Sequence, residues 1–278
     1  MSNLLYGAHV RANGIRQHYL RFGGTAGNRA ARDAVIVVPG ITSPAATWGF
    51  VGERIGREHD TYVLDVRGRG LSEASSDLDY SLDAQAADLN AFADAIGLAH
   101  YSVVGHSMGG RIAARAASKD PARLTRVVLV DPPVSGPGRR PYPAKLAWYV
   151  DSMALARAGI DVDAMRAFCP TWSERHLRLR AEWLHTCDER AIRASFDGFQ
   201  SDDFLGDLPR VKVPVLLIAA ERGDVVKPED VEEIRGLVPD IAFVRVADAG
   251  HMIPYDNEEG FYQAFGNFLG ASLAPPPL

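Results

Sequence analysis

The stretch YSVVGHSMGG, residues 101–110, decides the fold of this chain. It joins an apolar run to a GxSxG pattern at residues 105–109, and the helix-like segment 111–117 follows. This pattern between a strand and a helix predicts a sharp turn that exposes its serine above a sheet. The flanking glycines leave room for the turn, and the start of the next helix carries partial positive charge. The sequence therefore predicts Ser107 as a nucleophile.

Short runs of Val, Ile and Leu recur on both sides of this turn. Such runs are typical of strands that are buried on both faces of a parallel sheet. Helical segments lie between them, and this alternation predicts right-handed crossovers and a doubly wound α/β fold. The predicted strands are 16–22, 34–38, 61–65, 103–104, 126–130, 213–218 and 242–246, and the predicted helices are 81–96, 107–118, 228–237 and 258–269.

One long stretch interrupts the alternation. Residues 134–208 contain no strand-like run, open with the turn-rich segment 135–141, and continue through helix-like pieces rich in Trp, Arg and Met. We predict a helical cap, 134–208, inserted after the strand that ends at Asp131. The core, 1–133 and 209–278, would form one composite domain with it. The proline-rich segment 275–277 predicts a disordered tail.

Composition limits the classes of function. The chain has 278 residues, 47% of them hydrophobic, and a net charge of −5. No long basic run is present, so we expect no nucleic-acid partner. No apolar stretch approaches the roughly 20 residues that cross a bilayer. The N-terminus has no apolar signal core. We expect a cytoplasmic protein with no membrane partner, with Cys169 and Cys187 reduced. The sequence leaves a homo-oligomer open.

A serine nucleophile needs a base, and His251 is the best candidate. It follows the last predicted strand, and ligands of open α/β sheets bind at the carboxyl ends of the strands. A serine followed later by the histidine is also the order in which hydrolases with this turn place them. In the cap, His185 is a candidate substrate contact, although a histidine in a helical segment is more often structural.

The acid that orients the histidine has two candidates. Asp131 follows the strand after the GxSxG helix, and Asp224 follows the next strand. Both strand ends can reach the same imidazole, so the residues alone leave the choice open. The oxyanion hole should use two backbone N–H groups. We expect them at Met108, after the serine, and at Ile41, in the loop after the first central strand.

With these residues in place, the chain resembles the α/β-hydrolase superfamily over nearly its full length. The resemblance implies a mostly parallel central sheet flanked by helices. Within the superfamily the chain resembles the N-formylmaleamate deformylase family of aerobic nicotinate breakdown, which favours Asp131 as the acid. Most α/β hydrolases use the position of Asp224. The segments that carry this second resemblance are 12–21, 38–44, 130–140, 180–187 and 249–254.

This resemblance implies a serine hydrolase that cleaves the formyl C–N bond of N-formylmaleamate to give maleamate and formate. The partners would be a small anionic amide and water, with no cofactor and no metal. The substrate carboxylate calls for an arginine, and the cap tryptophans could form an apolar wall. The candidate substrate-binding residues are Arg111, Arg139, Arg140, Arg166, Arg180, Trp148, Trp183 and His185.

Other functions remain open at this point. A hydrolase of another acyclic amide from pyridine or pyridoxine catabolism, an enol-lactonase and a C–C hydrolase of ring-cleavage products share the fold and the triad. A slow ligand receptor on the same scaffold is a further alternative of a different class.

Overall fold

The computed structural model of the protein describes residues 2–274, so the predicted tail lies outside the described residues. The described residues form an eight-stranded sheet in the order β1-β2-β4-β3-β5-β6-β7-β8. The strands are β1 (Leu4–Ala12), β2 (Ile15–Phe22), β3 (Ala34–Val38), β4 (Thr61–Leu64), β5 (Tyr101–His106), β6 (Leu124–Val130), β7 (Val215–Ala220) and β8 (Ala242–Val246).

The predicted parallel sheet is confirmed for six strands, which lie side by side in the order β4-β3-β5-β6-β7-β8. β3 pairs in parallel with β4 and β5, and β5, β6, β7 and β8 continue the parallel order. Val35, Ile36 and Val37 have 0% exposure, as expected for a central strand covered on both faces. This arrangement brings the loops that follow β3, β5, β6, β7 and β8 to one edge of the sheet.

The first strand was not predicted. β1 pairs with β2 in an antiparallel hairpin whose turn is Asn13-Gly14, with φ angles of 46° and 77°. Eight of the nine β1 residues are exposed or only half-buried, so its sequence carries no continuous apolar run. An Asn-Gly pair is itself a strong hairpin signal, because both positions favour positive φ. The Asn13-Gly14 pair was therefore the sequence signal from which this hairpin, and with it β1, could have been predicted.

The helices pack on both faces of the sheet and over its carboxyl edge. The helix predicted at 258–269 ends earlier, at Ala264. No helix in residues 2–274 is long and apolar enough to cross a membrane. The helices are α1 (Gly49–Ile55), α2 (Leu82–Ala95), α3 (Met108–Lys119), α4 (Leu146–Arg157), α5 (Val162–Arg166), α6 (Glu174–Trp183), α7 (Glu189–Ser201), α8 (Pro228–Leu237), α9 (Ile253–Asp256) and α10 (Glu258–Ala264).

The predicted helical insertion is present between β6 and β7. In this described segment α4, α5, α6 and α7 occur and no strand does. Arg111 of α3 attaches the insertion to the core, because its guanidinium donates to five backbone carbonyls, those of Pro133, Ser135, Gly198, Phe199 and Asp202. The extent 134–208 for the cap remains our proposal.

Candidate active site

A strained turn holds Ser107 between β5 and α3. Its φ of 53° and ψ of −120° lie outside the regions that most residues adopt. The turn requires glycine at two positions, because the backbone there packs too closely against other atoms to leave room for a side chain. A Cβ at Gly105 would lie 2.2 Å from the Gly109 carbonyl oxygen, and a Cβ at Gly109 would lie 1.9 Å from the Val38 oxygen. The GxSxG pattern therefore sets the backbone geometry of this site.

Gly109→Ala is expected to destabilise the fold by about 3 kcal/mol or more, because the new methyl group would overlap a backbone oxygen. Gly236→Ala is the matched control. Gly236 lies in α8, and nothing lies within 4 Å of its added Cβ. That change should stabilise by about 0.5–1 kcal/mol, since alanine favours a helix more than glycine does. Urea unfolding of both variants checks the difference, and equal stabilities would contradict the packing argument.

Ser107, His251 and Asp131 form a continuous hydrogen-bonded chain. His251 Nε2 lies 3.0 Å from Ser107 Oγ, and His251 Nδ1 lies 2.7 Å from Asp131 Oδ2. A carboxylate only accepts, so Nδ1 carries the proton and Nε2 is free to accept the serine proton. The Asp131 side chain is fully buried, and its Oδ1 accepts the Ala220 N–H at 3.2 Å. This arrangement can activate a serine hydroxyl.

Asp224 lies near the hydrogen-bonded set of Ser107, His251 and Asp131 but does not belong to it. The residue is exposed at the pocket edge. Its neighbour Gly223 passes directly over the acid, since a Cβ there would lie 3.6 Å from Asp131 Oδ2. Among the hydrogen bonds of residues 2–274, the His251 Nδ1 position is taken by Asp131. The geometry therefore supports Asp131 rather than Asp224 as the acid.

His106 fixes the backbone of His251. Its Nε2 donates to the His251 carbonyl oxygen at 2.9 Å, and the two rings lie 5.0 Å apart. Burial lowers the pKa of His106 to about 3, so its imidazole is neutral at physiological pH. A neutral ring beside His251 adds no positive charge that would oppose protonation of His251.

The loop after β3 approaches Ser107 from the other side. A Cβ at Gly40 would lie 3.5 Å from Ser107 Cβ, so the loop backbone passes close to the nucleophile. Arg69 holds this loop, because its Nε donates to the Ile41 carbonyl oxygen at 3.1 Å. The Met108 N–H is at the first position of α3, where a helix leaves its N–H groups without an internal partner. Both predicted oxyanion donors therefore belong to backbone segments that lie next to Ser107.

Ser107 and His251 line a pocket of about 580 Å³. Arg180 from α6 lines this pocket and is only 4% exposed. Its two terminal nitrogens reach the Thr42 oxygens at a long 3.3 Å, and its Nε has no partner among the described residues. The guanidinium lies 5.2 Å from the Trp148 ring and 5.6 Å from the Trp172 ring. Arg180 thus has donors to spare for an anion.

Most of the other predicted substrate contacts lie outside the pocket. Arg111 donates its hydrogen bonds to the five backbone carbonyls described above. Arg139 and Arg140 form ion pairs with Asp230 of α8. Burial without a carboxylate partner lowers the pKa of Arg111 to about 10. The pocket lining includes Trp148 and Arg180, whereas the predicted residues outside that lining are Arg111, Arg139, Arg140, Arg166, Trp183 and His185.

Two pocket tyrosines had not been predicted, whereas Trp172 is one of the cap tryptophans expected to form an apolar wall. Tyr142, Tyr149 and Trp172 line the pocket and are almost fully buried. Trp172 stacks on Tyr255 with a centroid distance of 4.0 Å. Tyr142 lies between two prolines just after the turn-rich segment, and no chemical pattern marks it. Only the folded position of the cap brings these rings to Ser107.

The fold and this site define the class of protein. A family model described as the alpha/beta hydrolase fold matches residues 33–258, and the chain belongs to this family. It is 59% identical to an N-formylmaleamate deformylase of Pseudomonas putida over 273 residues, which covers 98% of this chain and 100% of the relative.

A solved structure agrees with this match. The crystal structure of a serine-to-alanine variant of the N-formylmaleamic acid deformylase Nfo from Pseudomonas putida S16 has a TM-score of 0.89 and 52% identity, and the match covers 94% of this chain and 100% of that chain. A putative carbamate hydrolase of Caulobacter vibrioides is 27% identical, over 91% of this chain and 94% of the relative.

Proposed function

We propose that this chain is a serine hydrolase that cleaves the formyl C–N bond of N-formylmaleamate to give maleamate and formate. Its main support within the molecule is the pocket that places a Ser107–His251–Asp131 chain together with the buried Arg180. A small substrate with an acyl group at one end and a carboxylate at the other fits these two features. The 59% identity to a deformylase supports the same substrate.

In the proposed mechanism His251 Nε2 takes the Ser107 proton as the serine oxygen attacks the formyl carbon. The N–H groups of Ile41 and Met108 hold the oxyanion, and such donors each contribute on the order of 10²–10³ in rate. Collapse breaks the C–N bond, and His251 gives its proton to the departing nitrogen. Water then attacks the formyl ester with the same histidine as base, which releases formate and restores Ser107.

Arg180 is proposed to bind the substrate carboxylate. An unpaired carboxylate is costly to bury, and a guanidinium with free donors can pair with it through two parallel bonds. The tryptophan rings on Arg180 keep it ordered and exclude water from the charge pair.

Arg180→Met is expected to lower kcat/KM for N-formylmaleamate by about 10²–10³, mainly through KM, because a buried charge pair loses one partner. Steady-state kinetics with the carboxylate-free analogue N-formylcrotonamide should show a much smaller loss. Arg166→Met is the matched control, since Arg166 is exposed on α5 and outside the pocket. Equal losses with both substrates would mean that Arg180 only supports the Thr42 loop.

Formate release from N-formylmaleamate by the purified protein tests the function, with the N-acetyl analogue alongside. Rapid formate release and a slow acetyl reaction would support a formyl-sized site. A folded protein that releases no formate would exclude the deformylase and direct the search to larger amides, lactones and ring-cleavage products. Many turnovers per enzyme would exclude a ligand receptor. The cytoplasmic location and the lack of a nucleic-acid or membrane partner stay predictions from composition.

A further inference from the structure

Two tyrosine hydroxyls lie in the pocket that Ser107 and Arg180 also line, and they have no role in the mechanism above. Tyr142 Oη lies 3.1 Å from Tyr149 Oη and 3.5 Å from His251 Nε2. Burial raises the pKa of Tyr142 well above its usual value, so the phenol stays protonated. Burial also raises the pKa of Tyr149, and the nearby Arg180 charge opposes that rise. The two hydroxyls therefore form a pair that begins beside His251 Nε2.

The Tyr142 proton is available to a ligand. His251 Nε2 has one lone pair, which Ser107 Oγ occupies at 3.0 Å, and 3.5 Å is long for an O–H···N bond. Tyr149 can donate its own proton to the Tyr142 oxygen across 3.1 Å. The Tyr142 O–H is then free to turn from the nearby Ser107 Oγ toward a ligand beside His251 Nε2, the atom that delivers a proton to the leaving group.

The proposed substrate has an acceptor at that place. When the formyl C–N bond breaks, its electron pair moves to the nitrogen and, by resonance, to the adjoining carbonyl oxygen of maleamate. That oxygen is about 2.3 Å from the nitrogen by standard amide geometry. Since the nitrogen must approach His251 Nε2 to be protonated, the carbonyl oxygen is within reach of Tyr142. A donor there stabilises charge that develops as the bond breaks.

We propose that Tyr142 is a further catalytic residue, which donates a hydrogen bond to the carbonyl oxygen beside the departing nitrogen, and that Tyr149 is the positioning residue that orients it. This inference rests on the proposed function. His251 supplies the proton that the nitrogen takes, and Tyr142 keeps its own. The site would therefore favour N-formyl amides, in which a second carbonyl adjoins the nitrogen, over simple N-alkyl formamides.

Tyr142→Phe tests the inference with two substrates. We expect kcat/KM for N-formylmaleamate to fall by about 100-fold, as for the loss of one oxyanion donor. Hydrolysis of 4-nitrophenyl formate should change by less than about twofold, because nitrophenolate leaves without a donor while Ser107, His251 and the Ile41 and Met108 N–H groups are still required. Tyr101→Phe is the matched control. Its hydroxyl donates to Asn90 Oδ1 at 3.0 Å, at the other end of β5.

Two results would overturn the inference. Equal losses with both substrates would mean that Tyr142 merely supports the triad, and unchanged kinetics with both would mean that its hydroxyl is unused. Tyr149→Phe gives a second readout if Tyr142→Phe folds poorly. We expect its kcat/KM to fall by about tenfold for N-formylmaleamate and to stay unchanged for the ester, and an equal loss with the ester opposes the proposal. Wild-type protein that cleaves the ester but releases no formate from N-formylmaleamate would instead reject the proposed function itself.

Discussion

Ser107→Ala is expected to lower kcat for N-formylmaleamate by about 10⁶-fold, since the nucleophile and its base act as one unit. The residual rate over water should come from the oxyanion N–H groups and from binding alone. The variant should bind its substrate, because Arg180 and the tryptophan wall are untouched. Formate release measures the rate, and equilibrium binding of N-formylmaleamate to the inactive variant measures the affinity.

The fold of the variant should remain intact. Ser107 occupies a strained backbone position with φ of 53°, and alanine is no less suited to it than serine. Unfolding in urea should therefore give a free energy within about 1 kcal/mol of wild type. His251→Ala, which removes the base, should show a comparable loss of turnover. Wild-type turnover in folded Ser107→Ala would reject a serine mechanism altogether.

Local sequence is enough to predict the turn at Ser107, because the GxSxG pattern between a strand and a helix marks it. The glycine at 105 is required by packing against Gly109 within the turn, whereas the glycine at 109 is required by the Val38 carbonyl of β3. His251 could be predicted for a related reason. It follows the last strand of an alternating pattern, and parallel strands deliver the loops at their carboxyl ends to one edge. The structure brings both residues together at that edge.

The partners of the arginines could not be predicted, because they depend on contacts between distant segments. Arg139, Arg140 and Arg180 all occur in the cap and look equivalent in sequence. Two of them meet Asp230, about 90 residues away along the chain, and only Arg180 reaches the pocket. Tyr142 was missed for the same reason, since an aromatic residue between two prolines indicates neither burial nor function.

The choice of acid gives the second large effect. Asp131→Asn is expected to lower kcat by about 10⁴-fold, whereas Asp224→Asn should change it by less than about threefold. The reason is the tautomer of His251. The Ala220 N–H already requires an oxygen at position 131, so the new amide would turn its NH₂ toward Nδ1. Nδ1 would then have to accept, the proton would move to Nε2, and Nε2 could no longer take the Ser107 proton.

Steady-state kinetics of the two variants, together with the pH profile of kcat, separate these positions. Asp131 and Asp224 follow successive strands, and the loop through Gly223 runs between them, so each is a fair control for the other. A larger loss in Asp224→Asn would show that the exposed carboxylate moves onto the imidazole during turnover. Near-equal, moderate losses would mean that the two carboxylates substitute for one another, and the double variant would then lose far more than either single change.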